Sequence, residues 1–293
     1  MRSLLMPLCC IALAGFVPGA KGEDVGDWGG IWKGVEPVAD DGEFDELDTA
    51  PPLLASLFPQ VRRSPSWIRV TQAAGHTQWL LQAELLSKGL VFGDPVFIRI
   101  FKEERVLEVW VRSRESGKYE LFRVWPIAAC GESPGPKLTE GDGRSPEGFY
   151  SVPRARLQPN THNHLAFNLG YPNAYDRLHG RTGSAILVHG NDVSVGCFAM
   201  TNARIEEIYT LCAAALNHGQ RFFRVHVFPF RMTPERMTAA IGQPWEEFWS
   251  NLKEGYDFFE IEKIPPDVTV ENFRYAFKVD AQIAPPPMVA SGR

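Results

Sequence analysis

This 293-residue chain is short of positive charge, of long apolar runs and of cysteine, and each shortage excludes something. Its 30 Lys and Arg face 35 Asp and Glu, a net charge of -5, so the phosphate-neutralising footprint of a nucleic-acid binder is missing and no nucleic acid is expected as a partner. No stretch reaches the roughly 20 apolar residues that a membrane-spanning helix needs, and no transmembrane segment is expected. The run from Leu4 to Phe16 follows Arg2 and precedes the small residues Gly19, Ala20 and Gly22. That is the layout of a secretory signal with cleavage near Ala20 to Gly22. Cys9 and Cys10 leave with such a signal, and Cys130, Cys197 and Cys212 remain, an odd number that implies at least one free thiol in an exported protein. The glycines at 141, 143 and 148 lack the Lys-Ser/Thr of a phosphate loop, which argues against nucleotide binding. His162 and His164, two apart and so on one face of a strand, have His179 downstream. No cysteine or carboxylate stands at ligand spacing beside them, and no metal is expected.

What is present suits an α+β fold, mainly β with peripheral helices. Residues 1–22 read as the signal and 23–66 as an acidic flexible linker, with Asp40, Asp41, Glu43, Asp45, Glu46 and Asp48 crowded together. Residues 67–92 read as a helical segment around Trp79 to Leu86. Pro95–Phe101 and Val106–Arg112 flank the charged turn 102–105 as a β-hairpin. Further strands are expected at Tyr119–Trp125, Gly148–Val152, His164–Asn168, Ala185–His189 and Phe222–Phe228. A helix is expected after Thr201, where Ile205, Ile208, Tyr209, Cys212, Ala215 and Leu216 recur at helical spacing before Gly219, so that Cys212 reads as a small buried hydrophobe. The catalytic unit is expected over 93–231, and a helical and strand extension packed on it over 232–280. Pro285 to Pro287 lie in a disordered tail over 281–293.

The chemistry concentrates in Ile186-Leu187-Val188-His189-Gly190-Asn191-Asp192-Val193-Ser194-Val195-Gly196-Cys197, where an apolar strand delivers a histidine and a polar loop ends in a cysteine just before a helix. A free thiol is only a few per cent thiolate at neutral pH, and a neighbouring imidazole is the usual means of raising that fraction. His189 is therefore expected as the base, within hydrogen-bonding reach of the nucleophile Cys197. Gly196 lets a substrate carbonyl approach the backbone, and the N–H groups of Gly196 and Cys197 are candidate oxyanion donors. The Gly190 carbonyl or Ser194 is expected to orient the imidazole.

Together with Gly141-Asp142-Gly143-Arg144-Ser145-Pro146-Glu147-Gly148-Phe149-Tyr150, the H-G and S-x-G-C pattern resembles the YkuD-type L,D-transpeptidase family of bacterial cell-wall enzymes, most of all its YafK/DpaA branch. Phe97 to Arg105, Pro172 to Arg177 and Gly196 to Thr201 follow that branch, and the resemblance spans roughly 93–279. It implies a β-sandwich-like core, no cofactor, a periplasmic location and a peptidoglycan stem peptide as substrate. Cys197 would form a thioester at the L-centre carbonyl of meso-diaminopimelate. A branch member releases a covalently attached outer-membrane lipoprotein from peptidoglycan, so amidase action is expected ahead of cross-linking. Ala199, where many relatives carry Arg or Asn, and Val195, where some carry a second histidine, depart from the wider pattern.

Arg177 and Arg181, just before the catalytic strand, are candidate binders of substrate carboxylates, and Tyr175 is a candidate to close the cleft. The late aromatics Trp245, Phe248, Trp249, Tyr256, Phe258 and Phe259 read as a helix packed on the core. Two other classes of function compete: a silent wall-binding module, and an exported cysteine protease acting on ordinary proteins.

Overall fold

The computed structural model describes residues 65–131 and 134–279. The signal, nearly all of the acidic linker and the C-terminal tail expected from the sequence lie outside the described residues.

Helix α1 (Pro65–Ser87) takes over where the linker was expected to run to 66. It carries its buried residues Val70, Ala73, Ala74, Thr77, Leu81 and Leu85 at helical spacing. Five strands form the first sheet. These are β1 (Val96–Phe101), β2 (Val106–Arg112), β3 (Tyr119–Pro126), β4 (Gly148–Pro153) and β9 (Phe222–Phe228). Their order is β3-β2-β1-β9-β4, with β1 and β9 parallel and the other pairs antiparallel. Every residue of β1 is buried, which explains its nearly unbroken apolar sequence.

Arg99 is the exception in that strand. Glu108, directly opposite on β2, holds its guanidinium at 2.9 Å, and Glu260 holds it at 2.6 Å. The rings of Trp110 and Phe259 lie 4.7 and 4.9 Å from its central carbon. A buried cation is tolerable only with such partners.

The second sheet is β5 (Leu157–Thr161), β6 (His164–Asn168), β7 (Leu187–His189) and β8 (Phe198–Ala199), in that order. The pair β7–β8 is parallel and short. Strand β7 starts two residues later than the apolar run suggests, because Ala185 takes a left-handed φ of 49° and breaks the ladder. His162 falls in the β5–β6 turn and not on a strand, so it does not share a strand face with His164.

The short α2 (Ala174–Leu178) lies in the connection from β6 to β7, and the long α3 (Asn202–Asn217) connects β8 to β9. Helix α3 buries Ile205, Ile208, Tyr209 and Cys212, and its Thr210 hydroxyl meets that of Thr77 on α1 at 3.3 Å. Beyond β9 come α4 (Pro234–Ala239), α5 (Glu246–Glu262) and the hairpin β10 (Asp267–Glu271) and β11 (Arg274–Lys278). Helix α5 lays Phe248, Trp249, Leu252 and Phe259 on the first sheet.

One buried ion pair ties α5 and β1 to the segment that enters β4. Glu147, with no exposed surface, accepts from Lys102 Nζ at 2.8 Å and from Trp249 Nε1 at 2.8 Å. Lys102 Nζ also donates to the carbonyls of Gly135 and Ser145. Removing one partner of such a pair strands a charge in the interior, at a cost of about 3–5 kcal/mol. Glu147→Ala is therefore expected to lower the unfolding free energy by about that amount in urea titration of the full chain. A loss under about 1 kcal/mol would show that the pair does not hold these elements.

Candidate active site

His189 closes β7 and is flanked on both sides, by Ala166 of β6 and by Ala199 of β8. In the adjoining ladder Val188 faces Phe198, and Cys197 stands in the bend one residue before it, close enough to β7 for the Leu187 N–H to reach its sulfur. The topology thus brings the loop of a cysteine eight positions after the histidine against the strand that ends in His189. The imidazole is buried, with 2% of its surface exposed, whereas Cys197 is half-buried and reaches solvent.

The Nδ1 atom of His189 bonds to the Gly190 carbonyl. A carbonyl oxygen only accepts, so Nδ1 must carry the proton and Nε2 keeps its lone pair. The Gly190 N–H is held by the Leu165 carbonyl at 3.0 Å, and the acceptor carbonyl shares its peptide plane with the Asn191 N–H, which is itself hydrogen-bonded. Glycine is required at 190 for space: a Cβ there would lie 2.6 Å from the Asn202 side-chain oxygen and 2.8 Å from the Asn163 carbonyl. That same Asn202 oxygen accepts from the Asn191 N–H at 2.8 Å and starts the loop on its course.

The expected imidazole–thiol hydrogen bond is not formed in the resting site. Cys197 Sγ instead accepts from the Leu187 N–H at 3.3 Å and donates to the Ala185 carbonyl at 3.5 Å. The strained turn at Ala185 is what aims that carbonyl at the sulfur. A group that donates to a carbonyl is a thiol and not a thiolate. The electrostatics agree. Burial raises the Cys197 pKa, against smaller lowering effects from the Leu187 N–H and the Lys137 charge. Burial lowers the His189 pKa, with the Gly190 hydrogen bond opposing. Both shifts favour a neutral pair, and proton transfer to Nε2 requires Sγ to turn away from its two backbone partners.

The N–H groups of Gly196 and Cys197 donate to no acceptor among the described residues. Two unclaimed donors beside a thiol can stabilise charge developing on a carbonyl oxygen. Ser194, expected to orient the imidazole, instead donates to the Cys197 carbonyl at 2.9 Å and braces the loop.

Three residues that sequence reasoning passed over complete the support. Ser145 Oγ accepts from the Gly131 N–H at 2.8 Å and donates to the Gly196 carbonyl at 2.9 Å, tying the thiol's loop to β4's entry segment. Lys137 is buried and bonds Asp142 Oδ1 at 2.8 Å. Burial works against ionisation of Asp142. Lys137 and the N–H groups of Leu138, Thr139 and Arg144 outweigh it and hold the carboxyl at a pKa of about 2. The Gly141-to-Ser145 segment was the one available sequence signal for Asp142 and Ser145, and nothing marked Lys137.

The candidate substrate residues do not converge on the thiol. Arg181 is buried, paired to Asp176 at 2.9 Å, and its guanidinium carbon sits 4.5 Å from the centre of the Phe248 ring. Its charge is consumed internally, which corrects its assignment as a carboxylate binder. Tyr175 is buried and stacked on His179, Phe248 and Tyr275, so it packs the core and does not close a cleft. Arg177 is exposed and lines a cavity that includes no residue of 185–201. His164 pairs with Glu206 at 2.8 Å, and His179 Nε2 bonds to the Phe273 carbonyl at 2.8 Å. Neither Cys130 nor Cys212 is in a disulfide, and both are buried.

An α+β protein with a solvent-reaching thiol at the entry of the strand beside a tautomer-fixed imidazole is the class these features define. Residues 95–227 match the family model of the YkuD L,D-transpeptidase catalytic domain. The chain is also 45% identical over 188 residues to YafK of Escherichia coli K12, which bears the name of an L,D-transpeptidase; the match covers 64% of this chain and 76% of that one, and YafK of strain O157:H7 matches equally. The chain belongs to the YkuD L,D-transpeptidase family. Among solved structures it is similar to the helical cell shape determining protein Pgp2 of Campylobacter jejuni, at 19% identity and a TM-score of 0.37, over 66% of this chain and 80% of that one. It is also similar to Bd1075 of Bdellovibrio bacteriovorus, at 20% identity and a TM-score of 0.32, over 58% of this chain and 61% of that one.

The raised thiol pKa sets the pH dependence. Alkylation of the native, substrate-free protein by iodoacetamide is expected to rise only as pH passes above the ordinary thiol range of about 8.5, with the label on Cys197 and with Cys130 and Cys212 labelled only after unfolding. A rate already at its plateau near pH 6–7 would contradict the neutral resting pair.

Proposed function

We propose that this chain is an exported, periplasmic cysteine acyl-transfer enzyme that acts on peptidoglycan stem peptides. Cys197 is the nucleophile and His189 the general base. The observation that carries this reading is the hydrogen bond from His189 Nδ1 to Gly190, which leaves a basic Nε2 at the end of β7, while the half-buried thiol of Cys197 stands at the entry of the neighbouring β8.

The steps follow from the geometry. A substrate entering the site displaces Sγ from the Ala185 carbonyl, and Nε2 takes the thiol proton as sulfur attacks the carbonyl at the L-centre of meso-diaminopimelate. The N–H groups of Gly196 and Cys197 receive the developing oxyanion, as preorganised donors in a water-poor site do. Collapse expels the amine, which takes the proton from the imidazolium and leaves a Cys197 thioester. Nε2 then takes a proton from water as its oxygen attacks the thioester carbonyl, the C–S bond breaks, the Cys197 thiolate takes that proton back from the imidazolium, and the acid product leaves.

Water is the acceptor favoured here, with release of a covalently attached outer-membrane lipoprotein as the outcome. Two features support hydrolysis over transfer to a wall amine. Ala199, beside His189, is fully buried and presents a methyl group where many relatives carry a polar side chain, and Val193 and Val195 on the thiol's loop are exposed. The neighbourhood of the thiol therefore lacks a side-chain cation or amide from the 193–199 loop to hold a second stem peptide.

Incubation of purified protein with sacculi bearing linked lipoprotein, and separately with tetrapeptide muropeptides, tests the reading by mass spectrometry. Protein release without new cross-links is expected, with Cys197→Ala and His189→Ala each reducing it by about a thousandfold or more. New cross-links without release would make the chain a transpeptidase. Inertness of the wild type on both substrates would leave it a wall-binding module.

A further inference from the structure

A second cavity, of about 290 Å³, opens at the free edge of the first sheet, and none of residues 185–201 lines it. Strands β4 and β9 form its floor, the β10–β11 hairpin one wall, and the segment 169–177 with α2 the other. Its volume sits at the lower edge of small-molecule sites, which run about 300–1,000 Å³.

Three guanidiniums face it, against a single carboxylate, in a protein whose overall charge is negative. Arg224 pairs with that carboxylate, Asp267, at 3.2 Å. Arg156 donates from Nη1 to the carbonyls of Ser151 at 2.6 Å and Leu169 at 3.3 Å, and Arg177 donates from Nη1 to the carbonyl of Pro172. Neither of the two has a carboxylate partner among the described residues. Anchoring one nitrogen of each fork on backbone fixes the plane of the guanidinium and leaves its other edge for a ligand.

The floor carries a buried titratable ring. His226 lines the cavity, is 1% exposed, and has no hydrogen-bond partner on either ring nitrogen. Phe97 and Phe149 clasp the ring edge-on at 4.6 and 4.7 Å and hold it in place. A buried polar group without a partner costs about 1–3 kcal/mol, and native proteins keep few of them. Both nitrogens are sealed from solvent, so the ring lies beneath the cavity as a sensor of charge brought into it and does not itself touch an occupant.

We propose that this cavity is a binding site for an anionic group, carboxylate or phosphate, carried by a ligand about the size of one amino acid or one sugar. Arg177 and Arg156 grip the anion above the buried His226 ring, and Phe222 and Tyr175 flank its apolar part. The proposal does not rest on the role given to Cys197.

Isothermal titration of the full-length protein at low salt with inorganic phosphate, and separately with N-acetylmuramic acid, tests it, with the ring resonances of His226 followed by NMR. Neither probe contains the bond attributed to the thiol, so the outcome is independent of catalysis. At least one probe is expected to bind and shift the His226 ring. Arg177→Ala is expected to weaken that binding by roughly tenfold or more, as loss of one charge-assisted contact does, while Arg114→Ala on the opposite strand pair leaves it unchanged. Binding of the sugar acid alone identifies a carboxylate ligand, and binding of phosphate alone a phosphorylated one. No binding of either probe, or binding that Arg177→Ala does not weaken, overturns the site.

Discussion

The hydrogen bond between the His189 ring and the Gly190 carbonyl is the constraint on which the site depends. It decides which nitrogen bears the proton, and so whether the imidazole offers the thiol a lone pair or a competing donor. The bond exists because β7 is held on both sides, by β6 and β8, and because residue 190 is small enough to sit between Asn202 and Asn163. A short parallel pair would be a weak element alone, since each of its few ladder bonds contributes only about 0.5–1.5 kcal/mol net. It is made rigid from outside, by the Ala129 bridge to Ala199, by Ser145 holding Gly196, and by Ser194 holding the Cys197 carbonyl.

The resting state that results is uncharged. A preformed thiolate–imidazolium pair would place two charges where burial disfavours both, and the backbone around Sγ offers a thiol what it needs: one donor, Leu187, and one acceptor, Ala185. Reactivity is thus deferred until a substrate moves the sulfur. The Lys137–Asp142 pair tempers this by keeping a cation on the thiol's side of the site, and its burial together with four hydrogen bonds to the carboxylate keeps it in place.

Where side chains alternate or a turn is chemically marked, the fold was readable in the residues. The hairpin β1–β2 and strand β9 appear where the apolar runs and the charged 102–105 turn put them, and α3 follows its helical spacing. Strand β5 was missed because Pro159 and polar neighbours mask it, and β8 because two residues carry no period. The β10–β11 hairpin turns on Asn272 and Phe273, both at positive φ. The phenylalanine stands where glycine would have announced the turn. Helix α5 runs unbroken through Gly255, which looks like a break but is needed for packing: a Cβ there would lie 2.6 Å from the Phe149 ring and 2.4 Å from that of Phe277. In the site, the sequence marked the segment that carries His189 and Cys197, but the ring partners of Arg181 and Tyr175 were not legible, because Phe248 and Tyr275 meet them only through the tertiary fold.

The neutral, Nδ1-protonated imidazole is the claim on which the rest stands, and nitrogen NMR of the histidine-labelled protein at pH 7.5 reads it directly. The account predicts that His189 shows a protonated Nδ1 and an unprotonated Nε2, and that Cys197→Ala leaves this pattern unchanged. An Nε2-protonated tautomer, or an imidazolium that becomes neutral when the thiol is removed, would contradict it.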